Sequence, residues 1–212
     1  MQSILSRGAS SRPPFFPGMA TLLVGGAALA ILIVFHPAEE TPEVLATSAW
    51  AWLHLGFMVF LLPVLFGLTQ LYQDLEEPLG MLGLASYLLL SVGIVGLCAV
   101  MLIEATIVPV LAAAPETAML LAETGPLFGG AFGIVFIGIA LCFTIGNIGL
   151  AIALVRSGTV PWAAALLLIP GGLPTFSPPL PMWLGQVGLV LWGAGIVWLS
   201  WAAMKRKAGA MG

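Results

Sequence analysis

Six polar side chains within or at the ends of long apolar runs are the candidates for chemistry: His36, His54, Tyr87, Glu104, Asn147 and Gln186. Imidazole titrates near neutrality, so a histidine beside a carboxylate can trade a proton at physiological pH. His54 and Glu104 are the pair best suited to that chemistry, with His36 and Gln186 at the same level and Tyr87 and Asn147 deeper. Together they predict a polar pocket whose chemistry is proton or cation handling.

Other chemistries fail on counting. A retinal Schiff base needs a lysine within the apolar runs, and both lysines, Lys205 and Lys207, stand at the C-terminus. A bis-histidine haem would consume His36 and His54, which differ in depth. Catalytic zinc takes three protein ligands, and His36, His54 and Glu104 would be the whole supply. HExxH, a phosphate-binding glycine loop and paired aspartates within an apolar run are all missing, so no catalytic residue, cofactor or metal site is expected.

The scaffold for these residues follows from composition. Of 212 residues, 60% are hydrophobic and only 7% charged, and the mean hydropathy is +1.13. Soluble domains carry roughly a quarter charged residues, so the expected solvent is lipid. Runs of about 20 apolar residues each suffice to span a bilayer. They predict helices over 17–36, 47–71, 79–108, 126–155, 160–175 and 182–204: an all-α integral membrane bundle of about six transmembrane helices. Residues 1–16 and 205–212 are then tails flanking a single domain, 17–204.

The links are short and acidic, with Glu39, Glu40 and Glu43 in the first, Asp74, Glu76 and Glu77 in the second, and Glu116 and Glu123 in the third. Every basic residue (Arg7, Arg12, Arg156, Lys205, Arg206 and Lys207) falls on one side if the number of spans is even. Lys and Arg flanking a span stay in the cytoplasm, which predicts N-in, C-in and an outward-facing pocket. Pro170, Pro174, Pro178, Pro179 and Pro181 crowd the fifth run, which is expected to be short or broken and to end in an extended outer segment. Cys98 and Cys142 lie in apolar runs and serve as small hydrophobes. The C-terminal basic run suits a membrane anchor and not nucleic acid.

Small residues mark where helices approach in lipid, because close backbone contact supplies the association energy there. Gly125, Gly129, Gly133, Gly138 and Gly146 form such a stripe and place the fourth helix at the centre of the bundle.

His36-Pro37, Trp50 to His54-Leu55, Gly67-Leu68, Leu71-Tyr72 and Ile103-Glu104-Ala105 together resemble a loose group of uncharacterised multi-pass proteins of bacterial genomes. The resemblance spans most of the length. It implies a bacterial cytoplasmic membrane and one compact helical domain, and carries no activity. Two roles are therefore expected: a small permease-like transporter using the polar pocket, or an accessory subunit that packs against itself or a larger membrane complex through its glycine faces.

Overall fold

The computed structural model describes residues 17–121, 125–127, 129–172 and 181–210. The N-terminal tail with Arg7 and Arg12, Glu123, and the expected outer segment through Pro174, Pro178 and Pro179 lie outside the described residues.

The first helix, α1 (Pro17–Leu32), opens on a proline, whose fixed φ suits a first turn. It tightens into a 3₁₀ turn over Ile33–Phe35 and stops at His36 (ψ 128°), the residue before Pro37, where the helical region is disfavoured. A single helical turn follows at Pro42–Leu45, and the next long helix begins after Thr47, whose hydroxyl accepts the Trp50 backbone N–H at 3.2 Å.

Ser48–Thr106 is helical throughout except at Gly80, where φ is 58° and ψ −158°. The chain doubles back there. Cross-contacts join residues 50 to 104, 58 to 98 and 69 to 87, the pattern of an antiparallel hairpin with its tip near 78. Its arms are α2 (48–79) and α3 (81–106). The expected polar link around Asp74, Glu76 and Glu77 is instead the last turns of α2. The reversal waits for Gly80 because only a residue without Cβ adopts that backbone at little cost.

α4 (Ala131–Ser157) ends on Gly158, which caps it in the left-handed conformation with φ 64°. The fifth apolar run is a half-length element, Trp162–Leu166 followed by a 3₁₀ turn at Pro170–Gly172. α5 (Met182–Ala210) closes the described chain and takes in most of the expected basic tail, which is helical through residue 210.

Four described stretches are long and apolar enough to cross a membrane: Gly18–Phe35, Ser48–Ala112, Ala131–Ser157 and Met182–Arg206. The second supplies two of the five long helices by turning at Gly80. Their outward faces suit lipid, since Leu88, Val92 and Val95 of α3 and Ile134, Val135, Ile137, Leu141 and Ile145 of α4 are all exposed. A soluble monomer would not present such continuous apolar surface to water.

Glycines set the helix order. A Cβ added at Gly93 of α3 would lie 2.6 Å from the Phe143 nitrogen of α4, and one at Gly146 would lie 2.5 Å from the Leu90 nitrogen. α1 is wedged between α2, where Gly67 abuts Leu22, and α5, where a Cβ at Gly193 would meet the Gly26 oxygen at 2.6 Å. The half-length element joins α5 to α4, with Gly171 against Trp192 and Gly172 against Thr144. The order α1–α2–α3–α4–half helix–α5 closes into a ring around one core containing Leu68, Leu90, Ile94, Phe143, Trp192 and Ile196.

The expected glycine stripe is redrawn. Gly125 and Gly129 precede α4 in a turn closed by the Gly129 N–H on the Gly125 carbonyl, 2.7 Å. Gly133 is buried near the start of α4, while Gly138 has open space where a Cβ would stand. Gly146 and Gly149 meet α3, and Thr144 and Asn147 reach the half helix and α5, while the opposite face of α4 is exposed, so the helix is one wall of the ring instead of its centre. The stripe drifts because a four-residue repeat advances faster than the 3.6-residue turn.

Candidate polar site

Trp50 is the hub of the site. It stands in the first turn of α2, only 2% exposed, and its indole Nε1 donates to the backbone carbonyl of Glu104 in the last turn of α3 at 3.0 Å. The Glu104 carboxyl group also lies within reach of that indole and within electrostatic range of Glu40.

One turn further along α2, the His54 ring stacks on Trp50 with centroids 4.1 Å apart. Its Nδ1 is 2.9 Å from the Trp50 carbonyl. A carbonyl only accepts, so Nδ1 carries the proton and Nε2 is the acceptor of the neutral ring. His54 is 3% exposed.

His36 completes the cluster from the end of α1. Its ring meets His54 edge-on at 5.4 Å and Trp50 at 5.2 Å. Its Nδ1 is 3.0 Å from the Pro37 carbonyl, which fixes the same tautomer, and its own carbonyl accepts from Gln186 Nε2 of α5 at 2.7 Å. Phe57 closes the floor, 5.9 Å from His54.

Four of the six expected residues thus converge at one end of the bundle: His36, His54, Glu104 and Gln186. Tyr87 lies near the opposite end, stacked on Tyr72 at 4.7 Å with its hydroxyl 2.9 Å from Thr69 Oγ1. Fifteen residues separate the levels of His54 and Thr69 on α2, about 22 Å at the helical rise. Asn147 is wholly buried in the core. Its Nδ2 donates to the Phe143 carbonyl at 2.9 Å, and its Oδ1 accepts from Trp192 Nε1 at 2.7 Å.

The sequence reading does not include Trp50 among the site residues. Its spacing from His54, one helical turn, was the available signal. Thr144, which donates to the Gly172 carbonyl at 2.6 Å and so ties the half helix to α4, was also missed.

Beside the cluster, α1 and α2 part to leave an open groove of about 330 Å³ lined by Leu32, Phe35, Leu53, Trp50 and Trp52, among others. Trp52 stands at its mouth, 73% exposed. Among the described residues no group of three His, Cys, Asp or Glu side chains is arranged to hold a metal ion. The described basic residues, Arg156, Lys205 and Arg206, gather at the far end, where Arg206 reaches the Thr159 carbonyl at 3.3 Å. Lys205 lies over the Trp201 ring at 3.9 Å.

No protein-family model, curated protein or solved structure matches this chain.

Proposed function

We propose that this protein is a permease-like, multi-pass membrane protein that binds a small solute at the His36–Trp50–His54–Glu104 cluster. The observation that carries the reading is the convergence of α1, α2, α3 and α5 on that one spot, each bringing a polar group through Trp50 or His36. Intramembrane ionisable residues are costly to insert, and a fold that collects them is using them.

The orientation follows from charge. The end holding Arg156, Lys205 and Arg206 faces the cytoplasm, which puts the cluster outside and gives N-in, C-in. The half-length element counts as the sixth crossing, since α5 starts again at the outer end. The resemblance to bacterial proteins supports a bacterial cytoplasmic membrane.

The test is solute uptake into cells or proteoliposomes carrying His54→Ala and Glu104→Gln. Loss of saturable uptake in both, with assembly intact, is expected. Unchanged uptake in both removes the reading.

An accessory-subunit role has its own support. Below His54 the α2 core face is closed by Phe57, Leu61, Val64 and Leu68, all buried, so no conduit continues inward along it. The exposed face of α4 around Gly138 is available to a helix of another subunit. Gly138→Leu fills open space without disturbing the seam with α3, and its loss of partner co-purification with the fold retained would favour this role.

A further inference from the structure

The cluster and its groove point to one class of ligand, and that assignment rests on the outer-site reading above. Several hydrogen-bond donors at this end are already committed. The Trp50 indole N–H goes to the Glu104 carbonyl, the Gln186 amide to the His36 carbonyl, and the Thr47 hydroxyl to the Val44 carbonyl at 2.7 Å. Both imidazoles spend their Nδ1 protons on carbonyls. Acceptors at this end include two imidazole Nε2 atoms and the carboxylates of Glu39, Glu40, Glu43 and Glu104.

Charge points the same way. Residues 33–60 and 98–121 carry five Glu, namely Glu39, Glu40, Glu43, Glu104 and Glu116, and no Lys or Arg. An anionic head, a phosphate or sulfate for example, would find no Lys or Arg in these stretches. A cationic head fits that charge, with Trp50 and the exposed Trp52, both lining the groove, suited to hold it by cation–π attraction.

The groove adds the second half of the specification. Its walls are Leu32, Phe35 and Leu53 with the two tryptophans, and Val34, Phe35 and Trp52 at this end of α1 and α2 are exposed. An apolar tail lying there remains in hydrocarbon while the head reaches the polar cluster. At about 330 Å³ the space matches the lower range of small-ligand sites.

We propose that the site binds amphiphilic amines: an alkyl or aryl tail in the α1–α2 groove and a protonated ammonium head between Trp50 and the Glu40–Glu104 carboxylates.

The experiment titrates the full-length protein, in nanodiscs of zwitterionic phosphatidylcholine, with octylammonium, octanol, octyl sulfate and methylammonium, subtracting heats from empty discs. Saturable octylammonium binding is expected, at least tenfold tighter than octanol or octyl sulfate. Glu104→Gln and Glu40→Gln should each weaken it severalfold, and the exposed Trp52→Ala should do so without unfolding the protein. Equal binding of octanol and octylammonium, or affinity unchanged in all three variants, overturns the proposal. If methylammonium binds as tightly as octylammonium and still needs Glu104, the amphiphile class is wrong while the outer site stands. If no octylammonium binding exceeds that of empty discs, the amine assignment falls, and the uptake assay on His54→Ala and Glu104→Gln decides the outer site separately.

Discussion

The indole nitrogen of Trp50 donates to the backbone carbonyl of Glu104, 54 positions further along the chain. That bond joins the first turn of α2 to the last turn of α3 and holds the open end of the hairpin together. Glu104 is therefore positioned through its main chain, with its carboxyl group within reach of the same indole. Trp50→Phe keeps the ring on His54 but deletes the N–H, stranding a buried carbonyl. A loss of about 1–2 kcal/mol is expected, read as a lower melting temperature in mild detergent. Melting at the wild-type temperature would show that the carbonyl is satisfied without the indole.

The Asn147–Trp192 bond is a polar side-chain pair that crosses between α4 and α5 in the core. Trp192→Phe and Asn147→Leu should each destabilise the bundle, and the double variant should lose less than their sum. Coupling of about 0.6–1.7 kcal/mol is expected for such a bond in a membrane protein. A double-mutant cycle measured by unfolding in mixed micelles reads it directly, and a coupling of zero would mean the two side chains act independently.

Gly146 and Gly138 lie on one helix and predict opposite outcomes. Gly146→Leu must push its Cβ into the Leu90 backbone, whereas Gly138→Leu enters open space. Overpacking at the first is expected to lower stability by about 1–3 kcal/mol or more, with the second near wild type. Equal melting temperatures for the two variants would contradict the α3–α4 seam.

Sidedness can be read with single cysteines placed in a background lacking Cys98 and Cys142. Glu43→Cys should react with a membrane-impermeant maleimide added outside intact cells, and Glu76→Cys only after permeabilisation. The reverse result would invert the protein and turn the cluster to the cytoplasm.

Much of the fold was legible because membrane helices announce themselves by length and apolarity. The limits of α1, α3 and α5 follow the apolar runs, and the prolines from 170 onward correctly marked the fifth run as the one that stops short. Local signals failed where polarity and backbone geometry disagree. Asp74, Glu76 and Glu77 read as a loop yet are helical, since the last turn of a membrane helix can stand in water and still make its hydrogen bonds. The convergence of His36 and His54 could not be read from depth alone, because it depends on how the end of α1 leans over α2. The small-residue stripe of α4 failed for a different reason: spacing along a chain does not say which side a helix turns to its neighbour.

The reversal at Gly80 has a consequence for how the protein is made. With no flexible connector between α2 and α3, the 59-residue unit has nowhere to pause between its arms. Both must partition into the bilayer as a pair, and whatever decides the direction of one decides the direction of the other. Biogenesis of this protein therefore turns on a single early commitment, after which the two walls that Trp50 joins are already facing each other.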